Sequence, residues 1–268
     1  MVMVMTVSAV RERDVASAVI DFNALRKSCA SCALAQLCLP ASIGAEGLTR
    51  LDELVQQRKP ADRGTTLFDT GGRQSKLYVV RSGSFKTFVD LPDGDHQVLG
   101  FHFPGDLLGL DALPSEVHRC NAQALERSMV CEVPFNELSN VASKLPGLQQ
   151  QLYRVMSDEF AREQEHMVMM GRRQAPARLA IFLHSLSERR RRLGLDPLEL
   201  NLSMSRQDIA NYLGLVIETV SRLMGRFQSA GVLDVERRIV HIRDMDALRA
   251  LAHAGDAADG MLKSASSS

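Results

Sequence analysis

Short apolar runs alternate with glycine-containing segments between about residues 48 and 140. Four glycines recur every eleven residues: Gly72, Gly83, Gly94 and Gly105. The runs rich in β-branched and aromatic residues are 77–80, 85–89, 97–101 and 128–133. Asp93-Gly94 is a strong hairpin signal between two of these runs. Strands at this spacing predict a β-sandwich, barrel or jelly roll.

After Pro146 the pattern becomes helical, with intervals of three and four. These positions form a seam: Tyr153, Met156, Phe160, Glu163, Met167 and Met170. A seam of this kind favours two helices paired along their length in a symmetric dimer, the alternative being a helix packed on its own domain with Glu163 at the edge. In a dimer, two Glu163 carboxylates at ~5 Å with an effective dielectric of ~20 would repel by roughly 3 kcal/mol, or share a proton. The seam therefore predicts a marginally stable dimer.

The last part of the chain predicts three more helical patterns and one hairpin. A helix over 177–192 ends in four arginines, for which a solvated face is the simplest interpretation. Ser205 and Asp208 have capping-box spacing at the start of a helix through Leu213, and Gly214 separates it from a helix over 217–229. Gly231 ends that helix, and 232–235 and 239–242 form the hairpin. Two short helices joined by a tight turn predict a helix-turn-helix, with the hairpin as a wing.

One face of the second helix carries side chains suited to base recognition. Glu218, Ser221 and Arg222 lie at positions i, i+3 and i+4. Arg can bind guanine, Glu can accept from cytosine, and Ser can contact a base edge or phosphate. Arg237 and Arg238 at the hairpin tip can touch phosphates. The alternative is an ordinary helical hairpin with an exposed Glu-Arg pair.

The charge distribution supports a nucleic-acid partner, although the chain as a whole is neutral, with 32 basic and 32 acidic residues. Residues 1–170 carry 17 Lys/Arg and 21 Asp/Glu, a net −4, whereas residues 171–253 carry 14 Arg and 9 Asp/Glu, a net +5. This asymmetry indicates an acidic module joined to one that faces nucleic acid. No stretch approaches the ~20 apolar residues of a membrane span, and the first ten residues lack a basic leader. We therefore expect a cytoplasmic protein without a membrane partner.

Three thiols cluster as Cys29-x2-Cys32-x5-Cys38, and Cys120 and Cys131 lie far along the chain. In a reducing compartment such a cluster favours metal binding over disulfides. Three near thiols and one distant thiol suit a four-cysteine iron–sulfur or zinc site. Free thiols, buried or redox-active, are the alternative. Spacing alone does not choose the metal, nor between Cys120 and Cys131.

Three long segments resemble the CRP/FNR family of bacterial transcription regulators, and within it the oxygen-sensing fumarate-and-nitrate-reduction branch. They are CASCALAQLCLP (29–40), QALERSMVCEVPF (123–135) and NYLGLVIETVSRLMGRFQ (211–228). The resemblance covers residues 29–252 and implies an α+β protein. Its parts would be an N-terminal extension (1–47), a β-roll of the cyclic-nucleotide-binding type (48–144), a dimerisation helix (145–172), a winged helix-turn-helix (173–252) and a disordered tail (253–268).

The resemblance also implies a mechanism. It assigns Cys29, Cys32, Cys38 and Cys131 to a [4Fe–4S] cluster, whose loss in oxygen would separate the homodimer, and it leaves Cys120 as a spare buried thiol. Glu163 falls where the family has an acidic residue that opposes dimerisation. Glu218, Ser221 and Arg222 would read TTGAT half-sites of double-stranded DNA, and the Asp93-Gly94 loop corresponds to a surface that touches RNA polymerase.

This chain departs from the family in two places. Val216 precedes the recognition helix where oxygen-sensing relatives usually have a Thr, so a helix cap is missing. Gly109, Asp111, Arg119 and Cys120 stand near the positions where relatives bind cyclic AMP, but the Glu and the hydroxyl are absent, so cyclic-nucleotide binding is not expected. We expect no enzymatic activity. The alternatives are a regulator of the same fold that senses a small molecule or thiol oxidation and, more remotely, an iron–sulfur electron carrier.

Overall fold

The structure is a computed structural model that describes Cys29, residues 32–55 and residues 57–254, apart from the side chains of Ser42, Gln57, Arg58 and Arg172. Residues 1–28 of the predicted extension and residues 255–268 of the predicted tail lie outside the described part.

Eight strands form the β-roll in the N-terminal half of the described chain. They are β1 (Gln57–Ala61), β2 (Thr66–Phe68), β3 (Lys76–Ser82), β4 (Phe85–Asp90), β5 (His96–His102), β6 (Leu107–Leu108), β7 (Asn121–Ala124) and β8 (Ser128–Pro134). They pair into two antiparallel sheets, with the orders β1-β8-β3-β6 and β2-β7-β4-β5. The predicted β-roll is confirmed, and its four longest predicted strands are β3, β4, β5 and β8.

Helices flank the β-roll and continue into the C-terminal part. They are α1 (Ala45–Leu54), α2 (Phe135–Ala142), α3 (Pro146–Arg172), α4 (Ala175–Arg192), α5 (Arg206–Tyr212), α6 (Ile217–Ser229) and α7 (Met245–His253). Strands β9 (Glu199–Asn201), β10 (Leu233–Glu236) and β11 (Ile239–Ile242) form a sheet of order β10-β11-β9. The sequence analysis predicted only a two-stranded hairpin here and missed both β9 and α7. A three-residue strand such as β9 is too short to show a period. Helix α7 begins only three residues after β11 ends, so no loop separates it from the hairpin.

Alternation along two paired strands separates two cores. Leu77 and Val79 of β3 pack with α1, α2 and α3 in what we call the outer core, whereas Val80 packs between the sheets in the inter-sheet core. In the register of β3 with β8, Cys131 lies opposite Val79, and Val130 lies opposite Val80. Because successive side chains of a strand point to opposite faces, Cys131 joins the outer core and Val130 joins the inter-sheet core.

One arginine connects the end of α3 to the C-terminal helices. The Arg178 guanidinium donates to the carbonyl oxygens of Met170 (2.8 Å), Arg173 (2.8 Å) and Leu213 (3.0 Å). These bonds satisfy carbonyl groups at the ends of α3 and α5, which have no partner within their own helices. Among the described helices, none combines the length and apolar character needed to cross a membrane.

The regular glycine spacing reflects tight turns in three of four cases. Gly83, Gly94 and Gly105 have φ angles of +76°, +89° and +98°, where L side chains are strained. The fourth position differs, because Gly71 rather than Gly72 has the positive φ. A Cβ at Gly83 would also lie 2.7 Å from the Cα of Ser128, whereas a Cβ at Gly94 would meet nothing within 4 Å.

This pair of turns allows a matched stability test. Gly94→Ala should cost only the left-handed conformation, about 1–2 kcal/mol. Gly83→Ala should lose about 3 kcal/mol or more, since it adds a clash with the backbone of β8. Urea unfolding of both variants measures the difference. Equal losses would show that the close approach of Ser128 contributes nothing.

Candidate cysteine centre and nucleic-acid interface

Four of the five cysteines line one apolar cavity. Cys29, Cys32 and Cys38 come from the segment before α1, and Cys131 comes from β8. The other lining residues are mainly aliphatic: Leu34, Ala35, Leu39, Pro40, Leu51, Val55, Val79 and Val133, with Arg81. The fold therefore brings the distant thiol of Cys131 to the N-terminal group, which spacing alone did not predict.

Two thiols of this cavity, those of Cys29 and Cys38, are poorly suited to carry charge on their own. Burial, followed by the neighbouring Asp52 carboxylate, raises the pKa of Cys29 to about 12. Burial also raises the pKa of Cys38 to about 12. All four cysteines are free rather than paired in disulfides. A thiolate here therefore needs a bound electropositive partner, which is the role of a metal centre.

The segment that carries the cysteines is fixed to the rest of the fold by two side chains. The Cys29 backbone N–H donates to Asp52 Oδ1 of α1 at 2.7 Å. The Gln151 amide of α3 donates to the Cys38 carbonyl oxygen at 3.2 Å. Sequence reasoning missed both contacts, because nothing in the local pattern links α1 or α3 to the cysteines.

Cys120 lies elsewhere, in the inter-sheet core. Only 5% of its surface is exposed, and burial, followed by Asp111, raises its pKa to about 12. Asp111 also accepts from the Arg119 backbone N–H at 2.7 Å and lies 3.3 Å from His118 Nδ1. The carboxylate near the family's nucleotide position is thus occupied by contacts within the chain.

The helix-turn-helix follows from local sequence chemistry. Ser205 caps α5 by accepting from the Asp208 N–H at 3.0 Å, and Asp208 Oδ2 accepts from the Ser205 N–H at 3.0 Å. Gly214 makes the turn with φ +60°. The apolar residues that hold the two helices together are all buried: Ile209, Leu213, Val220, Leu223 and Phe227.

The structure places the three candidate DNA-contacting residues on the first two turns of α6. Glu218 and Arg222 are exposed, and Ser221 is half-buried, with the Arg206 guanidinium donating to its hydroxyl at 3.4 Å. Arg237 and Arg238 are exposed in the turn between β10 and β11. These groups form one accessible surface that polar groups of DNA could contact.

Much of the α3 seam is exposed. The exposed fractions of Tyr153, Phe160 and Met167 are 58%, 62% and 69%, and Glu163 is also exposed. This argues against the interpretation that the seam packs on its own domain. Met170 behaves differently, since its sulfur lies 3.9 Å from Arg178 Nη1 and it packs on the C-terminal core. Partial burial, followed by Glu159, raises the pKa of Glu163.

A buried carboxylate that the sequence analysis did not identify joins α3 and α4 to the β-roll. Asp106 follows β5, and its Oδ2 accepts from Arg189 Nη1 at 2.5 Å, while its Oδ1 lies 3.6 Å from Arg162 Nη1. These two guanidinium groups outweigh burial and lower the pKa of Asp106. Arg189 is therefore not part of a solvated face, unlike the exposed Arg191 and Arg192.

Comparisons with known proteins agree with this architecture. A model of the Crp-like helix-turn-helix domain matches residues 177–251, and one of the cyclic nucleotide-binding domain matches residues 58–144. The fumarate and nitrate reduction regulatory proteins of Salmonella typhimurium and Escherichia coli K12 are each 44% identical over 224 residues, covering 84% of this chain and 90% of the relative. The structure of FixK2 from Bradyrhizobium japonicum aligns with a TM-score of 0.66 and 29% identity over 72% of this chain and 95% of that one.

These findings define the class of protein: a DNA-binding transcription regulator with a β-roll and a winged helix-turn-helix. The chain belongs to the CRP/FNR family of transcription regulators. Members of this family bind DNA and act as dimers, and they are not usually enzymes.

The start of α6 offers a test of the missing cap. Val216 occupies the N-cap position without a side-chain hydrogen bond and is 61% exposed. Val216→Thr keeps the shape and adds a hydroxyl that can accept from the first turn, so it should stabilise the protein by about 1 kcal/mol. Thermal unfolding measures this, with Val216→Ala as the control that adds no cap. A Thr variant no more stable than the Ala variant would contradict the prediction.

Proposed function

We propose that this regulator responds to oxygen, with a [4Fe–4S] cluster held by Cys29, Cys32, Cys38 and Cys131. The observation that carries the proposal is the convergence of these four thiols on one apolar cavity. The remaining cysteine, Cys120, lies on the other side of the sheet in a separate core.

The donor set fits such a cluster. The cavity is lined by four thiols, and a [4Fe–4S] cluster takes one thiolate for each of its four irons. Among the described residues, no group of three or more Cys, His, Asp or Glu side chains is placed to hold a single ion. When bound, the cluster would supply iron that stabilises the buried thiolates and that oxygen can attack.

The residues around the cavity connect it to the dimerisation helix. Leu148 and Leu152 of α3 pack in the outer core, which the cysteines border. Gln151 lies between them and bonds the Cys38 carbonyl. The segment that holds three ligands is thus also part of the support for the first turns of α3. A change in this segment therefore alters how firmly α3 is held for pairing.

The exposed seam of α3 is the proposed dimer contact. Tyr153, Met156, Phe160 and Met167 supply apolar area that dimerisation would bury. Glu163 opposes pairing because two carboxylates would meet across the axis, at a cost of roughly 3 kcal/mol. A seam that is apolar but carries one repulsive charge suits a dimer that must come apart.

The DNA surface completes the proposal. Glu218, Ser221 and Arg222 would contact bases of TTGAT–N4–ATCAA sites, and the two wing arginines would contact phosphates. The turn at Asp93 and Gly94 is exposed and would face RNA polymerase. DNA and polymerase as partners imply a cytoplasmic protein.

A pair of cysteine variants tests the ligand set. Protein purified without oxygen should be brown and hold about four irons and four sulfides per chain. Cys131→Ala should lose the colour, most of the iron and binding to a TTGAT–N4–ATCAA duplex in a gel shift. Cys120→Ala should keep all three, although Cys120 is the more buried of the two.

Exposure to air provides the second half of this test. Wild-type protein and Cys120→Ala should lose both the visible absorbance and DNA binding together. Colourless protein that retains zinc would contradict the sensor proposal while leaving DNA binding intact. A Cys131→Ala variant that still binds DNA and still responds to air would instead favour thiol oxidation or a small-molecule signal.

Replacing Glu163 tests the dimer seam. Glu163→Ala should raise the dimer association constant about tenfold or more in air, because it removes the facing carboxylates. Glu165→Ala is the matched control, since it removes the same charge from a position outside the seam. Sedimentation of both variants measures the dimer fraction. An unchanged dimer fraction for Glu163→Ala would show that Glu163 does not lie in the dimer interface.

A further inference from the structure

We propose that Asn211 and Lys86 are positioning residues that fix the helix-turn-helix on its own β-roll and thereby set the spacing between the two half-sites that a dimer accepts. The inference rests on the proposed function for the half-site sequence, for the pairing of α3 and for the iron-loaded state in which the protein is tested. It begins from a set of contacts between α5 and the β4–β5 hairpin that neither base recognition nor the cysteine centre uses.

Asn211 completes the edge of a sheet. Strand β5 is the last strand in the order β2-β7-β4-β5, so its outer backbone groups have no strand partner within the part of the chain that the structure describes. The Asn211 side chain accepts from the Val98 N–H at 2.5 Å and donates to the His96 carbonyl at 2.5 Å. The Gln97 amide donates in turn to the Asn211 carbonyl at 3.0 Å. One side-chain amide therefore pairs with β5 as a neighbouring strand would.

Lys86 holds the other end of the same helix face. Its ammonium lies 2.7 Å from Asp208 Oδ1, and the side chains are only 11% and 12% exposed. Asp208 is also the capping-box residue of α5, so the ion pair acts on the first turn of that helix. Asp208 and Asn211 are three residues apart and share one face of α5. The helix is thus attached to the β-roll at both of its ends.

Apolar packing makes the attachment continuous. Val98 and Phe101 of β5 belong to the same core as the C-terminal helices. The Phe101 ring centroid lies 5.2 Å from that of Tyr212 and 5.9 Å from that of Phe182. A shared core with buried polar pairs at its rim resists pivoting better than the loose interface usual between domains.

The docked arrangement leaves the DNA surface free. Glu218, Arg222 and the wing arginines are exposed, and the face of α5 that carries Asp208 and Asn211 is the one that is covered. The contact is therefore compatible with DNA binding. If α3 pairs with its partner and each reader is fixed to its own β-roll, the distance between the two readers is fixed as well. In helix-turn-helix dimers that distance determines the half-site separation.

The experiment measures spacing preference rather than affinity alone. Full-length anaerobic protein with its iron content verified is titrated against duplexes carrying the TTGAT–N4–ATCAA site and the same site with the spacer one base pair shorter or longer. The variants are Asn211→Ala and, as a second route to the same contact, Lys86→Met, which keeps the apolar stem. Gln228→Ala is the matched control, because Gln228 is exposed at the end of α6, away from both β5 and the DNA-contacting residues. Hydrogen exchange of the β5 amides is followed in parallel.

Asn211→Ala should lower the preference for the correct spacer at least fivefold, because it removes two side-chain hydrogen bonds to β5 and a single hydrogen bond is worth about fivefold. It should also speed exchange at Val98. Gln228→Ala should change neither. Parallel weakening on all duplexes would overturn the proposal, because it would indicate a purely structural role. Tighter DNA binding by the Asn211→Ala variant would also overturn the proposal, because it would indicate an inhibitory contact. Faster exchange of the Val98 amide with an unchanged spacer preference would show that the contact does not set the spacing. Wild-type protein that binds none of these duplexes would count against the proposed half-site instead, and the variants would then be compared on the sites that it does select.

Discussion

The side of the sheet on which Cys131 lies determines which thiols of this protein share a cavity. Period-two alternation along β8 sends Cys131 to the outer core, beside the segment that carries Cys29, Cys32 and Cys38. A shift of one residue in the register of β8 would send it into the inter-sheet core, where Cys120 lies. The four-thiol cavity is thus a consequence of how β8 pairs with β3 rather than of the cysteine spacing.

The same outer core connects the thiols to α3, a helix whose two faces have different surroundings. Its inner face packs under the cysteine segment through Leu148 and Leu152 and bonds it through Gln151. Its outer face leaves Tyr153 and Phe160 exposed. Because both faces belong to one helix, the proposed function needs no separate moving part: a change in support on the inner side would alter the position of the outer side.

Features set by local chemistry were predictable, and features set by long-range packing were not. The capping box of Ser205 and the Gly214 turn follow from neighbouring residues, and the structure has them where the sequence predicted. The meeting of Cys131 with the N-terminal cysteines, and the pairing of Asp106 with Arg189, join residues 83 or more positions apart. They lie on elements whose relative placement no local period encodes. The resemblance to a family supplied the first of these, and nothing in the sequence supplied the second.

Charged residues of both signs meet at the junction between the β-roll and the C-terminal part. The β-roll side is acidic and the C-terminal side is basic, yet the contacts between them run in both directions. Asp106 binds Arg189, while Lys86 binds Asp208. These pairs use charge for internal attachment. Because the chain carries 32 basic and 32 acidic residues, the protein as a whole is neutral and has little long-range attraction to DNA. Tight binding must then come from short-range contacts at two correctly placed readers. A regulator built this way needs both its dimer and its interdomain contact, because loss of the dimer leaves a single weak reader, whereas loss of the contact leaves two readers whose separation is no longer fixed.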